Sequence, residues 1–357
     1  MRVGIYSPYL DTAGGGEKYM LTIGECLSKD NEVDIFLDNH LASFSEDEIK
    51  KKNEELLGLN LSKVKYIKAP FGVGSSAAKR YQFLKGYDLI FYNTDGSIFF
   101  SSAKKSIIHF QMPFKNSGAK GILGKVKLKS WKKAIYNSYF TKEFIEKFWN
   151  IGGEVVYPPV DVDEIKPLKK EKIILSVGRF VKETKVKKHS EMINAFKEIQ
   201  HKGLEGWSLY LAGGISKGDE DYLKELKKLA EGLPVHFFPN VSRPELFKLY
   251  GSASIYWHFT GFEEEDPSRF EHFGITTVEA MAGGCVPIVI NKGGQKEIVE
   301  YGEDGYVWDK LDELFSLTLA VSKDESLKDR LSKKAAIKAK KFNKGNFYDS
   351  IKRILND

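Results

Sequence analysis

The stretch Phe259–Gly294 reads FTGFEEEDPSRFEHFGITTVEAMAGGCVPIVINKGG and is the most informative part of the chain. Glu271 and Glu279 are separated by seven residues and flank the tripeptide Phe273–Ile275. The pattern predicts a helix that begins at this tripeptide and carries Glu279 about one and a half turns in. Free amides at a helix N-terminus favour a phosphate or a developing negative charge. Two such glutamates alone are more typical of a solvated surface, but the small residues around these two allow a close backbone approach.

On either side of this stretch, apolar strand-like runs alternate with helical patterns. In the first half the predicted strands are Arg2–Ser7, Val33–Asp38, Lys65–Lys68, Asp88–Asn93 and Ser106–Phe110. In the second half they are Lys172–Gly178, Trp207–Leu211, Val235–Phe238, Ser254–Phe259, Pro287–Ile290 and Gly305–Trp308. This alternation predicts two open parallel α/β domains, with ligands at the carboxyl ends of the strands and in a cleft between the halves.

Length and composition agree with two domains. The chain has 357 residues, of which 42% are hydrophobic and 29% charged, and this is ordinary globular composition. Cys26 and Cys285 are the only cysteines, too few for a disulfide framework or a four-cysteine zinc site. The prolines of Tyr157–Asp161 and the charged residues up to Lys172 predict an interdomain linker. Asp161 and Asp163 are interpreted as part of that linker, so no metal site is expected.

The net charge of +6 comes mostly from lysine, since only seven residues are arginine. Arginine forks are the usual readers of nucleic acid, so nucleic-acid binding is not favoured. No apolar run is long enough for a membrane span, and the first residues predict a strand rather than a signal peptide. The expected location is therefore the cytoplasm.

A lysine segment, Lys115–Lys133, holds seven lysines and no acidic residue. Its members are Lys115, Lys120, Lys125, Lys127, Lys129, Lys132 and Lys133. Polybasic segments gain about 1 kcal/mol per residue near an anionic membrane. The segment therefore predicts peripheral contact with the inner face of a membrane, and a solvated face is the alternative.

The stretch from Glu271 to Gly294, followed by Glu297, closely resembles the donor-binding region of family 4 retaining glycosyltransferases. Further matching segments are Gly14–Glu17 (GGGE), Asn137–Ser138 with Phe140–Thr141, Tyr157–Asp161 (YPPVD) and Gly178–Phe180 (GRF). The resemblance covers nearly the whole chain. It implies the GT-B fold, with two Rossmann-like domains around a cleft. It also implies an acceptor-binding domain over 1–165, a nucleotide-sugar domain over 166–335, and a C-terminal helix over 336–357 that crosses back to the first domain.

The resemblance also assigns roles in binding the donor. It implies that Glu271 binds hydroxyls of the transferred sugar and that Glu279 binds the ribose. The groups that it places against the departing diphosphate are the amides of Phe273, Gly274 and Ile275 and the side chains of Arg179 and Lys187. Counting back from Ala195–Phe196 selects Lys187, but the loop is longer than the family pattern, and the choice between Lys187 and Lys188 stays open.

Two features of the first half are weaker signals. The loop with Gly15 and Gly16 lacks the G-x-G-x-x-G pattern, because Tyr19 stands at the third glycine position. A plain turn is equally compatible with it, and the resemblance implies an approach to the donor phosphate or the acceptor. His109 ends the run SIIHF, where a structural histidine is the commoner interpretation. The resemblance implies that it reaches the donor sugar and takes part in catalysis with Glu271, Arg179 and Lys187.

The sequence thus predicts a retaining, metal-independent hexosyltransferase. It would move mannose or glucose from a GDP- or UDP-linked donor to a glycan or lipid-linked acceptor, without a further cofactor. Two alternatives stay open: a non-catalytic nucleotide-sugar-binding protein, and a nucleotide-sugar epimerase on the same fold.

Overall fold

The structure, a computed structural model, describes residues 1–12, 14–41, 43–115 and 119–356. The chain divides into two compact units. The first unit is Met1–Pro159 together with Gly345–Asp357, and the second is Val160–Lys344.

Within the described residues, the first unit forms a sheet of seven parallel strands in the order β3-β2-β1-β4-β5-β6-β7. The strands are β1 (Arg2–Tyr6), β2 (Glu32–Leu37), β3 (Val64–Lys68), β4 (Leu89–Asn93), β5 (Lys105–Phe110), β6 (Lys133–Tyr136) and β7 (Gly153–Val155). The helices are α1 (Gly15–Leu27), α2 (Glu46–Leu57), α3 (Ala77–Leu84), α4 (Gly121–Lys129), α5 (Tyr139–Trp149) and, at the end of the chain, α13 (Lys344–Asn356). β1 pairs on both sides, with Val3 opposite Val33 of β2 and Leu89 of β4.

Every residue of the second unit is described, and six parallel strands form its sheet in the order β10-β9-β8-β11-β12-β13. These are β8 (Glu171–Val177), β9 (Ser208–Gly213), β10 (Val235–Pro239), β11 (Ala253–His258), β12 (Val286–Ile290) and β13 (Tyr306–Trp308). The helices are α6 (His189–His201), α7 (Glu220–Leu229), α8 (Arg243–Ser252), α9 (Ile275–Ala282), α10 (Gln295–Ile298), α11 (Leu311–Lys323) and α12 (Glu325–Ala339).

The central strands are apolar on both faces because helices cover both sides of each parallel sheet. In the first unit, Ile5 of β1 and Ile23 of α1 share one core cluster. Three residues of α13, Phe347, Ile351 and Ile354, belong to the same cluster. Their spacing puts them on one helix face, so α13 completes the core of the first unit.

The end of the second unit differs from the prediction of one helix over 336–357. Residues up to Ala339 belong to α12, a 3₁₀ turn spans Lys340–Phe342, and α13 follows. The Phe342 ring packs edge-on against Phe273 at a centroid distance of 5.4 Å. This contact holds Phe342 in the second unit and explains why the helix is interrupted before α13.

The segment interpreted as a linker also differs from its prediction, which put the domain boundary after residue 165. Val162 and Ile165 are buried, and Arg243 of α8 donates a hydrogen bond to the Asp161 carboxylate. Residues from Val160 onward therefore belong to the second unit.

Lys170 fixes the C-terminal end of α9 relative to the sheet. Its Nζ donates to the carbonyl oxygens of Gly251, Ala253 and Gly283 at 2.8, 2.8 and 2.6 Å. Gly283 is the C-cap of α9, so one partly buried ammonium ties this helix to the start of β11.

Over the described ranges, no helix combines the length and apolar character needed to cross a bilayer.

Candidate functional site

The carboxylate of Glu271 is the centre of a polar cluster in the second unit. Lys187 Nζ lies 2.7 Å from Glu271 Oε2, and His258 Nε2 lies 3.0 Å from the same oxygen. An ionised carboxylate only accepts hydrogen bonds, so His258 donates its Nε2–H. Lys187 comes from the loop before α6, His258 ends β11, and Glu271 precedes α9. Three separate elements therefore meet at one carboxylate.

The cluster keeps Glu271 ionised and His258 neutral. Burial alone would raise the pKa of Glu271, but the charge of Lys187 and the hydrogen bond from His258 outweigh it and hold this pKa well below its ordinary value. Burial lowers the pKa of His258, against the opposing effect of Glu271. At neutral pH the site therefore carries one carboxylate and one ammonium, which neutralise each other.

Gly178 allows Lys187 to reach this carboxylate. A Cβ at position 178 would lie 2.8 Å from Lys187 Cγ and 2.9 Å from its Cδ. Any larger residue there would displace the lysine stem from its path to Glu271.

Lys188, the alternative to Lys187, has other partners. Its Nζ lies 2.7 Å from Glu264 Oε1, and the other oxygen of that carboxylate accepts a bond of 2.7 Å from Arg269 Nε. Lys188 also adopts a left-handed backbone conformation, with φ of 57°, as the N-cap of α6. The structure thus brings Lys187, and not Lys188, to Glu271.

The helix start predicted beside Glu271 is present as α9. Gly274 is its N-cap with φ of 122°, Ile275 is its first residue, and Phe273 is buried. A Cβ at Gly274 would lie 2.6 Å from Gln295 Nε2, so both the backbone angle and the packing require glycine. Phe273, Gly274 and Ile275 are therefore held in a tightly constrained turn directly after Glu271.

Glu279 lies in the second turn of α9, as the spacing predicts. The Tyr250 hydroxyl donates to Glu279 Oε2 at 2.8 Å. Burial and the neighbouring charge of Glu279 raise the pKa of Tyr250 well above its ordinary value, so the phenol stays protonated and donating. Next to it, the Tyr256 hydroxyl donates to Thr276 Oγ1 at 2.8 Å.

Arg179 lies outside these contacts. Its side chain is exposed, and it forms no ion pair or hydrogen bond with the residues that the structure describes. A Cβ at Gly214 would lie 3.8 Å from Arg179 Cγ, which places the arginine stem beside the turn after β9. Arg179 is thus a cation without an anionic partner in the described chain.

In the first unit, Gly15 and Gly16 open α1. A Cβ at Gly16 would lie 2.2 Å from Gln111 Oε1 and 3.1 Å from Asn93 Nδ2, so the first turn of α1 packs directly on the ends of β4 and β5. Glu17 Oε2 accepts from the Gly14 amide at 3.0 Å. The first turn of α1 therefore already has a carboxylate against it.

His109 is fully buried in the first unit. Its Nδ1 lies 3.2 Å from the Ile135 carbonyl oxygen, and its ring stacks on Tyr19 at a centroid distance of 3.9 Å. Burial lowers the pKa of His109 to about 3. The ring has no surface open to a ligand, which favours the structural interpretation of His109 over contact with a sugar.

Three residues at this site, His258, Tyr250 and Gln295, were not predicted from the sequence. His258 reads as the end of an apolar strand and Tyr250 as part of a helix, so only the fold brings them to Glu271 and Glu279. Gln295 is fully buried beside Gly274, and its side-chain atoms find no hydrogen-bond partner in the described chain. A histidine at the carboxyl end of a parallel strand was the one available signal.

Asp161 and Asp163, interpreted above as linker residues, have different surroundings. Asp161 contacts Arg243, and Asp163 is exposed. Among the residues that the structure describes, no three His, Cys, Asp or Glu side chains are grouped as metal ligands.

Residues 161–338 match the family described as "Glycosyl transferases group 1". The mouse GDP-Man:Man(3)GlcNAc(2)-PP-Dol alpha-1,2-mannosyltransferase is 32% identical over 226 residues, which cover 56% of this chain and 44% of the mouse protein. The alpha-1,3/1,6-mannosyltransferase ALG2 of Kluyveromyces lactis is 33% identical over 209 residues, which cover 47% of this chain and 40% of the yeast protein. The chain thus spans less than half the length of these relatives.

Solved structures match over the whole chain. HepE of Anabaena, in complex with UDP, superposes with a TM-score of 0.74 at 19% identity and covers 100% of both chains. A glycosyltransferase from Rickettsia africae gives a TM-score of 0.74 at 17% identity, covering 99% of this chain and 97% of the other. These likenesses and the two parallel sheets confirm the predicted GT-B fold class.

Proposed function

We propose, because residues 161–338 of this chain match the family described as "Glycosyl transferases group 1", that the protein is a retaining, metal-independent hexosyltransferase. The observation that carries the proposal is the Glu271 carboxylate, held by Lys187 and His258 immediately before the constrained start of α9. This arrangement sets an ionised acceptor of hydroxyl groups beside helix amides that suit a diphosphate.

In the proposed reaction, the bond from the anomeric carbon to the diphosphate oxygen breaks, and a bond from that carbon to an acceptor hydroxyl oxygen forms on the same face. The hydroxyl proton passes to the leaving phosphate, so no side chain is required as a nucleophile. Glu271 binds hydroxyls of the transferred sugar, and Glu279 binds the ribose. Negative charge grows on the leaving diphosphate, where preorganised donors contribute most.

Lys187 and Arg179 are the two cations proposed to bind the diphosphate, and they differ in their contacts. Lys187 is already paired with Glu271, so it links the sugar-binding carboxylate to the phosphate end of the donor. Arg179 is exposed and has no anionic partner in the described chain, so its full charge is available to the diphosphate. The amides of Phe273, Gly274 and Ile275 complete this set.

We further propose GDP-mannose as the donor and a lipid-linked glycan as the acceptor. Relatives above 30% identity are named as mannosyltransferases, one of them with GDP-Man and a PP-Dol glycan in its name. UDP-hexoses are the alternative donors. Cytoplasmic location and the absence of any cofactor beyond the donor are part of the same proposal.

The test is a transfer assay with GDP-mannose, UDP-glucose and UDP-N-acetylglucosamine, each with a lipid-diphosphate-linked glycan acceptor, with and without EDTA. Product mass identifies the sugar, and the anomeric NMR signal identifies the linkage. An α-linked product from an α-linked donor, formed equally in EDTA, is the expected result. A β-linked product refutes retention, and a requirement for metal refutes metal independence.

Two neighbouring ion pairs supply matched variants. Lys187→Met and Glu271→Gln should each lower kcat/KM about 100- to 1,000-fold. Lys188→Met and Glu264→Gln alter a pair of the same length that lies outside the proposed donor site, so activity should stay within about tenfold of the parent. Circular dichroism checks folding in all four.

The same assay separates the alternatives. Nucleotide binding by calorimetry without any product identifies a binding protein. Conversion of the donor to an isomeric nucleotide sugar, independent of acceptor, identifies an epimerase.

A further inference from the structure

Helix α4 turns its large apolar side chains away from the protein. Ile122, Leu123 and Val126 are 83%, 78% and 47% exposed. On the opposite face Gly124 is buried, and a Cβ there would lie 2.3 Å from the Ala119 carbonyl carbon. At about 100° per residue, the three apolar side chains fall within an arc of about 100°. The helix is thus held by its glycine face and presents an apolar strip to the outside.

Lysines flank this strip on both sides. By helical position, Lys125 and Lys129 border one edge of it and Lys127 borders the other. Lys125, Lys129 and nearby Lys132 form no ion pair with any residue in the described part of the chain. Their positive charge is therefore uncompensated.

Acidic groups on the elements that adjoin α4 are few: Glu143 of α5 is exposed to solvent, and two others lie close to lysines. The sequence contains no Asp or Glu between Asp95 and Glu143. On the adjoining elements, Glu154 pairs with Lys133 at 2.7 Å and Glu146 lies 3.7 Å from Lys142. The surface around α4 is therefore cationic as well as apolar.

A cavity of about 480 Å³ opens beside the same helix. Trp131, Phe148 and Trp149 supply its aromatic walls, and the residues that contribute cations to its lining are Lys125, Lys129 and Lys132. Cations combined with an apolar wall suit a phosphate group attached to a hydrocarbon chain.

We propose that α4, Lys132 and this cavity, named here the α4 surface, bind the face of an anionic lipid bilayer. Ile122, Leu123 and Val126 enter the boundary between headgroups and acyl chains. The lysines contact lipid phosphates, and one phosphate headgroup occupies the cavity. An apolar strip flanked by lysines is the arrangement of helices that lie in the membrane interface.

Only part of the lysine segment Lys115–Lys133 belongs to the proposed lipid-binding surface, namely the lysines of α4 and Lys132. Asn116–Gly118 lie outside the described residues, and Lys133 is engaged with Glu154. Binding to a lipid bilayer requires neither a sugar donor nor sugar transfer, so it is separate from the proposed transferase activity.

The test is flotation of the purified protein with vesicles of phosphatidylcholine alone or mixed with phosphatidylglycerol. Binding should require phosphatidylglycerol and weaken at high salt. A triple variant, Lys125→Gln, Lys129→Gln and Lys132→Gln, should lose about a hundredfold in partition coefficient. The double variant Ile122→Ser and Leu123→Ser should lose about tenfold or more, even at full charge.

The matched control removes three exposed lysines from the opposite edge of the same sheet: Lys63→Gln, Lys65→Gln and Lys68→Gln. It should bind like the parent. Equal losses in the control and in the Lys125, Lys129 and Lys132 variant would overturn the α4 surface in favour of net charge alone. Unchanged binding by the Ile122 and Leu123 variant would overturn insertion, and no binding by the parent would overturn the proposal. Binding of inorganic phosphate by a protein that does not float with the vesicles would show an ion site without a bilayer and would also overturn it.

Discussion

Replacing Lys187 with methionine removes the cation nearest to the Glu271 carboxylate. Methionine keeps an unbranched chain over Gly178, so the packing is preserved while the charge is lost. Glu271 then retains the hydrogen bond from His258, which is neutral. Lys187→Met therefore isolates the ion pair.

The loss of stability caused by Lys187→Met can be estimated from the length of the ion pair and the exposure of its two side chains. Two unit charges 2.7 Å apart attract by about 6 kcal/mol at an effective dielectric constant of about 20, before the cost of removing them from water. The side chains of Lys187 and Glu271 are 25% and 21% exposed, between the fully exposed and the fully buried case. Exposed pairs are worth about 0 to 1 kcal/mol, and breaking buried ones costs about 3 to 5 kcal/mol. We expect a loss of about 2 kcal/mol, or about 4 to 8 °C in the Tm of the second unit.

The stabilisation from the Lys187–Glu271 ion pair should decrease in acid. Because the folded-state pKa of Glu271 is lowered, its stabilisation is fully present above the ordinary glutamate pKa of about 4.3. It is lost as the pH falls through the lowered, folded-state pKa, where the carboxylate takes up a proton. The Tm difference between the parent and Lys187→Met should therefore be constant from pH 7 to pH 5 and narrow in stronger acid.

Differential scanning calorimetry of parent, Lys187→Met, Glu271→Gln and the double variant measures the coupling directly. Lys188→Met is the control, and it should cost less through electrostatics because Glu264 keeps Arg269. A Tm of Lys187→Met within about 1 °C of the parent at pH 7 would contradict the predicted stabilisation by the ion pair. An equal loss of Tm on adding Lys187→Met to the Glu271→Gln variant would contradict it as well.

Three further outcomes are expected. Gly274→Ala should cost about 2 to 3 kcal/mol of unfolding free energy, because φ is positive there and the new Cβ would collide with Gln295. Gly302→Ala, with φ of 76° and open space around it, should cost only about 1 kcal/mol. Urea unfolding measures both costs. The pKa of His109 is about 3 in the folded protein and about 6.5 in the unfolded chain, so the unfolded state takes up a proton first as the pH falls. The unfolding free energy of the first unit should therefore drop by about 2 kcal/mol between pH 6.5 and pH 5. Calorimetric scans should show that His109→Gln abolishes this drop. Lys170→Met removes the ammonium that donates to the carbonyls of Gly251, Ala253 and Gly283; the Gly251 carbonyl keeps the Leu168 amide as a donor and the Ala253 carbonyl keeps the Cys285 thiol. This variant should cost about 2 kcal/mol of unfolding free energy, while exposed Lys169→Met should be nearly neutral by urea unfolding.

Local patterns in the sequence were sufficient to predict most strands and helices. The predicted Asp88–Asn93 strand corresponds to β4, and the helix expected after Glu271 is α9. Both depend on apolar periodicity and on glycine placement, which neighbouring residues determine. The seven-residue spacing was likewise sufficient to place Glu279 in the second turn of α9.

Features that depend on distant residues could not be predicted. The resemblance selected Lys187 but left Lys188 open, because the two are adjacent and chemically alike. Only the folded chain shows that Lys187 contacts Glu271 and Lys188 contacts Glu264. The helix breaks before α13, where Phe342 packs on Phe273. The periodicity of residues 336–357 gives no sign of a contact with a residue so distant in the sequence. His258 meets Glu271 only because two elements converge in the folded unit.

The position of α13 has a consequence for how the chain folds during synthesis. The second unit is one uninterrupted stretch, Val160–Lys344, whereas the core of the first includes Phe347, Ile351 and Ile354, which are synthesised after the whole second unit. Domains of a nascent chain generally fold in order from the N-terminus. We expect the opposite order here, because the second unit has all its residues at a point when the first still lacks the three apolar side chains of α13. A chaperone that binds exposed apolar surface would therefore bind the first unit early in synthesis and release it only after α13 has been made.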